Sequence, residues 1–362
     1  MMRSLCLAAL LAGLALPAAA QDKVVHVFNW SDYIDPDTAK KFEAATGIKV
    51  VYDVYDSNET LETKLLTGNS GYDVVVPSSN FLKRQIQAGV FKELDKEKLP
   101  NLKNMDPGLM AQSALSDPDN AHSVIYMWGT IGIGYNEAKI KERLGADAPT
   151  DSWSLIFDPK YAAKLKDCGI TVLDSPTDVL QTALAYLGID PTSEKVDDLT
   201  KAAGVLTAIR PYIRYFHSSQ YISDLANGEV CASIGFSGDI FQSASRAEDA
   251  KNGVTVAYTV PKEGAQQWFD LMAIPADAPN PDAALAWINF NMEPEIAAAN
   301  SNFVSYANAN AASWPLIDPA IRDNPSIFPP AEVQAKLFPA VVYDQKTERA
   351  ITKLWTKVKT GK

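Results

Sequence analysis

Four short stretches set carboxylates beside hydroxyls or aromatic rings: Trp30-Ser31-Asp32-Tyr33, Asp174-Ser175-Pro176-Thr177-Asp178, Phe236-Ser237-Gly238-Asp239 and Trp268-Phe269-Asp270. Tyr306 lies further along the chain. Most follow β-branched runs, and in open α/β sheets ligands bind beyond the carboxyl ends of strands. The composition suits a cation carried on an apolar stem. A buried ammonium without a carboxylate costs several kcal/mol. Each aromatic face adds about 0.5–2 kcal/mol by cation–π attraction, and each buried methylene about 0.8 kcal/mol. Taken singly, these residues have plainer readings. Trp30 or Trp268 alone reads equally as core packing. Asp32, Asp239 or Asp270 alone reads as a helix cap or a solvated turn, and Asp239 as the start of the helix after it. Their joint occurrence favours binding, because core aromatics need no neighbouring carboxylate.

Catalytic patterns are weaker. Gly235-Phe236-Ser237-Gly238-Asp239 departs from the G-x-S-x-G nucleophile elbow. His26, His122 and His217 stand far apart, without a metal-ligating companion at helical spacing. Gly132-x-Gly134 lacks the third glycine and the opening helix of a dinucleotide site, and there is no P-loop. No cofactor and no metal are expected. An exported hydrolase with an undetected carboxylate pair stays as an alternative, as does a sensor that signals through a membrane protein.

The elements that must position these clusters alternate. A strand over 23–28 leads to a helix opened by Asp35-Pro36 and ended at Gly47. A strand over 48–54, a helix over 59–66 capped by Ser57, and a strand over 72–76 follow. This is the pattern of a parallel sheet. The glycine-rich stretch 129–136 reads as a crossover to a second α/β series, and 254–260 as the return. The expected division is 21–131 with 260–306 for one lobe and 132–259 with 307–362 for the other. Such clefts close on ligands by hinge motion.

Residues 1–20 read as a secretory signal peptide: Arg3, an apolar run over 5–16, and Ala18-Ala19-Ala20 before the cleavage point. The run is too short to span a bilayer, and no later stretch is apolar and long enough, so a soluble, exported protein is expected. The remaining 342 residues exceed what one core normally holds. They carry 32 basic against 44 acidic residues, a net charge of −12, which argues against nucleic acid or an anionic membrane as partner. Cys168 and Cys231 are the cysteines left. In an oxidising compartment they suggest one disulfide; two buried free thiols are the other reading.

At these clusters the chain closely resembles the polyamine-binding periplasmic proteins of bacterial ABC transporters, the putrescine and spermidine receptors. The resemblance is carried by Asn29-Trp30-Ser31-Asp32-Tyr33-Ile34, Tyr52-Asp53-Val54-Tyr55-Asp56-Ser57-Asn58-Glu59 and Val75-Val76-Pro77-Ser78. It continues through Arg214-Tyr215-Phe216-His217-Ser218-Ser219-Gln220-Tyr221, Leu225-Ala226-Asn227-Gly228, Tyr306-Ala307-Asn308-Ala309-Asn310, Pro329-Pro330-Ala331 and Trp355-Thr356-Lys357-Val358-Lys359. It implies an α/β, type II periplasmic-binding-protein fold with a ligand cleft between two lobes, no enzymatic activity, and a bridge between Cys168 and Cys231. It implies a periplasmic monomer that passes putrescine, spermidine or both to an inner-membrane ABC permease; another cationic solute is the nearer alternative. Carried over by position, Trp30, Tyr33, Phe236, Trp268 and Tyr306 would box the aliphatic stem. Asp239 would hold one ammonium, and Asp32 and Asp270 the other, helped by Ser31 and Ser78. Three departures bear on ligand choice. Phe236 stands where putrescine receptors tend to have Trp. Thr177 stands where they have an acidic residue, with Asp178 as the possible substitute. Trp268 stands where spermidine receptors have Trp and putrescine receptors Phe.

Overall fold

The structure is a computed structural model that describes residues 23–361; the expected signal peptide lies outside the described residues. Among the described residues eleven strands join in one sheet: β1 (Val24–Trp30), β2 (Lys49–Tyr55), β3 (Val74–Val75), β4 (Ser123–Asn136), β5 (Ile170–Val172), β6 (Ile213–Phe216), β7 (Ala232–Phe236), β8 (Val256–Thr259), β9 (Ala265–Ala273), β10 (Ala307–Asn308) and β11 (Leu337–Pro339). Eight of them run in the order β2-β1-β3-β9-β4-β7-β5-β6, while β8 and β10 pair with β4 and β11 with β9. The parallel pairs β1–β2 and β1–β3 on one side, and β5–β6 and β5–β7 on the other, bear out the two α/β series. Val25, Val27, Val74 and Val75 are fully buried, as parallel strands covered on both faces require.

The glycine-rich stretch is the shared spine. β4 pairs with β9 from Ser123 to Thr130, then with β7 from Ile131 and with β8 from Ile133. The sheet therefore changes partners between Thr130 and Ile131. A Cβ on Gly132 would lie 2.3 Å from the Thr259 carbonyl oxygen, so β8 can lie against β4 only where no side chain intervenes.

Some local expectations shift. The first helix spans Thr38–Thr46, later than Asp35-Pro36 implies. The Asp35 carboxylate takes the Asp37 N–H and its carbonyl the Thr38 N–H, so an Asx turn occupies the expected first turn. β3 is two residues long because the Val76 carbonyl is claimed by side chains, Trp30 Nε1 at 2.9 Å and the Tyr55 hydroxyl at 2.5 Å. At the expected lobe change after Tyr306, the chain stays with the first half-sheet: Ala307–Asn308 pairs with Met127 and Trp128, and Asn310 bridges Met105.

Cys168 and Cys231 are disulfide-bonded, with Cα atoms 5.4 Å apart across 63 residues. The bridge ties the approaches to β5 and β7. Replacing both cysteines by serine is expected to lower unfolding free energy by about 2–4 kcal/mol, since a loop of this length loses its closure constraint. Urea titration reads that loss, and ligand affinity should stay within a few-fold because neither cysteine lines the cavity described below.

Candidate functional site

The turn after β1 places the first cluster. Asp32 adopts φ 55°, a left-handed conformation that aspartate tolerates better than most non-glycine residues. Past it, Tyr33 turns inward, 4 % exposed, and its hydroxyl donates to Asp270 Oδ2 at 2.9 Å. Ser78 begins the helix Ser79–Gln87, but its hydroxyl makes no cap. It donates instead to Asp270 Oδ1 at 2.6 Å, and Asn58 Nδ2 donates to the Ser78 hydroxyl at 3.0 Å. Asp270 is thus a buried carboxylate with one hydroxyl on each oxygen.

Asp239 repeats the plan. It lies in the first turn of the helix Ser237–Ala250, where the helix dipole favours negative charge. Its side chain does not cap that helix: Tyr221 donates to Oδ2 and Tyr306 to Oδ1, both at 2.7 Å. Burial is the main cause that raises both carboxyls, Asp239 to about 6 and Asp270 to about 7. The bonded hydroxyls oppose the shift. The charges of Asp178 and Asp239 raise Asp270 further, and that of Asp32 raises Asp239. Both sites are therefore short of positive charge.

Five rings run between them in edge contact. Trp30–Phe236 centroids are 6.5 Å apart, Phe236–Trp268 5.9 Å, Trp268–Tyr306 5.3 Å and Tyr306–Tyr33 5.1 Å. They come from both halves of the sheet and line one cavity with Ser31, Ser78, Asp178, Asp239 and Asp270. No lysine, arginine or histidine is among the lining residues. Such a site can hold a cation with an apolar stem. Among the described residues there is no cluster fit to hold a metal ion, and no helix is long and apolar enough to cross a membrane.

Two expected site residues lie elsewhere. Asp32 does not line the cavity. Its carboxylate reaches out to Arg246 of the helix Ser237–Ala250 at 2.7 Å, because the left-handed turn that brings Tyr33 in sends Asp32 outward. Gln242 Nε2 also donates to the Asp32 and Val304 carbonyls, at 3.3 Å each. Thr177 is buried outside the cavity, whereas Asp178 beside it lines the wall and accepts from the Ser175 hydroxyl at 2.7 Å. Tyr55, Asp56, Asn58, Ser218 and Gln266 line the cavity unforeseen. So does Tyr221 matter unforeseen, as the second hydroxyl on Asp239. For all of these but Gln266 the one sequence signal is membership of the stretches that carry the resemblance; Gln266 has none.

The Asp32–Arg246 pair joins the two halves at the surface, with side chains 45 % and 40 % exposed. Such pairs contribute about 0.2–1 kcal/mol. Arg246→Ala is therefore expected to weaken ligand binding only a few-fold at low ionic strength, and less at high salt. Titrations at two salt concentrations check this; a loss that salt leaves unchanged would contradict it.

The family described as bacterial extracellular solute-binding protein matches residues 37–329. The chain belongs to that family. It is 56 % identical over 359 residues to the putrescine-binding periplasmic protein SpuD of Pseudomonas aeruginosa (strain UCBPP-PA14), covering 99 % of this chain and 97 % of the relative. It is 55 % identical over 345 residues to the putrescine-binding periplasmic protein PotF of Escherichia coli (strain K12), covering 95 % and 93 %. A solved structure of a putative spermidine/putrescine ABC transporter from Listeria monocytogenes superposes with a TM-score of 0.84 at 32 % identity, covering 94 % of this chain and all of that one. As a solute-binding protein with the two-lobe fold, the chain is a receptor and not a hydrolase.

Proposed function

We propose that this protein captures a short polyamine, putrescine or spermidine, in the cavity between its lobes, and hands it to an ABC permease after export to the periplasm. The observation that carries this reading is the charge of the cavity. Asp56, Asp178, Asp239 and Asp270 face one ring-lined space with no basic side chain in its wall, so the guest must bring the positive charge. Two of these carboxylates are fixed by paired hydroxyls, as two ammonium groups at the ends of one chain require. The putrescine-binding relatives support the same ligand class, and the ABC-transporter neighbour supports the partner.

Asp239 takes one ammonium and Asp270 the other, with Ser78 and Tyr33 orienting Asp270. Trp30, Phe236, Trp268 and Tyr306 enclose the methylenes. Asp178 stands in reserve for a longer guest. Asp32 serves closure rather than contact. Among the described residues, lobe 1 runs over 23–131 and from 260 to at least 310. Lobe 2 comprises 132–259 and the helix Gln345–Thr360, which packs on the helices Pro176–Tyr186 and Val196–Ile209. Four methylenes between the rings contribute about 3 kcal/mol. With charge pairing and cation–π attraction the total reaches about −8 kcal/mol, a micromolar affinity. Calorimetric titration of the ligand-free protein with putrescine, spermidine and cadaverine tests this. Saturable heat from putrescine or spermidine is the expected result, and silence with all three ends the proposal.

A further inference from the structure

Two rings of the cavity rest directly on glycines. A Cβ added to Gly238 would lie 2.4 Å from Cδ2 and Cε2 of Tyr306 and 2.6 Å from its Cγ. One added to Gly129 would lie 2.7 Å from Cζ2 of Trp268 and 2.8 Å from the Ser237 hydroxyl oxygen. Neither glycine has a positive φ, so the backbone conformation does not require glycine at either place. At Gly238, inside the helix Ser237–Ala250, alanine is the better helix former. What excludes a side chain there is the ring behind it.

The two rings also lean on each other at 5.3 Å, and Tyr306 meets Tyr33 at 5.1 Å. Pushed from behind, Tyr306 has the cavity and these neighbours in front of it. Its hydroxyl both donates to Asp239 Oδ1 and accepts the Asp239 N–H, at 2.7 and 3.1 Å, so a displaced ring loosens the carboxylate as well. We infer that Gly238 and Gly129 are positioning residues: by seating Tyr306 and Trp268 against bare backbone they set the width of the ligand box and hold Asp239 in register. This rests on the polyamine reading above for its functional meaning.

The test is Gly238→Ala, alone and combined with Tyr306→Ala, with Gly204→Ala as control. Gly204 lies in the helix Val196–Ile209 with nothing within 4 Å of an added Cβ. Gly238→Ala should weaken putrescine binding about tenfold or more, since overpacking displaces what it touches. Its ligand-free melting temperature should not fall in proportion. In the Tyr306→Ala background the same change should alter affinity less than about twofold, as two residues acting through one contact couple. Gly204→Ala should bind as the parent does. Unchanged affinity in Gly238→Ala, or a full loss that persists without the Tyr306 ring, overturns the inference. Should the parent bind none of the amines, the functional reading fails separately, and a crystal structure of ligand-free Gly238→Ala decides the seat: the ring displaced supports it, the ring unmoved overturns it.

Discussion

Asp270→Asn is expected to weaken putrescine binding by at least about thirtyfold, because removing one charge of a buried, hydrogen-bonded pair costs about 2–5 kcal/mol. Asparagine keeps the size of the side chain and an oxygen for either Tyr33 or Ser78, so the change isolates the charge. Asp270 is 4 % exposed; water cannot take over the pairing that an ammonium loses there. The same argument predicts the opposite effect without ligand. A carboxyl raised to about 7 chiefly by burial is costly to ionise in the native state, so ligand-free Asp270→Asn should be no less stable than the parent at pH 8. Titration calorimetry and thermal melts of both proteins read the two effects. Affinity retained within a few-fold would remove Asp270 from the site.

Affinity should also fall steeply with acidity. Without ligand, Asp239 sits at about 6 and Asp270 at about 7; an ammonium beside each holds it ionised, so binding expels the protons that these groups carry. Linkage then makes binding about twentyfold weaker at pH 6 than at pH 8, with somewhat more than about one proton released per ligand at pH 6 and almost none at pH 8. Calorimetry in buffers of different ionisation enthalpy counts those protons. For stability the sign is reversed in the absence of ligand. Both folded-state values lie above the ordinary carboxyl range of about 4, so the native state binds more protons than the unfolded chain. Ligand-free stability contributed by these groups is therefore fully present below about pH 4 and is lost as pH rises from there through about 6 to 7. A saturating diamine should offset that loss most at pH 8. A flat affinity from pH 6 to 8 would mean that neither carboxyl meets the ligand's charge.

Much of the frame was legible along the chain. The helix Val196–Ile209 and β6 fall where propensity and periodicity put them, because one is a long periodic run and the other a short run of β-branched and aromatic residues, and both patterns are local. The helix Pro294–Val304 is not among the elements expected from the sequence, although Pro294 stands at its first position, where proline favours a helix start. β3 is shorter than its apolar run, since Trp30 and Tyr55 draw the Val76 carbonyl out of the ladder. That competition comes from residues 21 and 46 positions away, and no local pattern records it.

By itself the sequence determined the inventory: rings and carboxylates at strand ends, a pair of cysteines, and two α/β series joined through a glycine-rich strand. These follow from residue type and short-range periodicity, which the chain carries wherever it folds. Only the tertiary structure decided which carboxylates share the cavity. Asp32 and Asp270 are alike in type and each stands two residues after a tryptophan, yet a left-handed turn past the end of β1 turns one to Arg246 while two hydroxyls hold the other inside, within β9. Likewise Asp178 reaches the wall and Thr177 does not, because neighbours on a helix point about 100° apart. Direction in space is fixed by backbone torsion and by partners distant in sequence, and composition does not encode either.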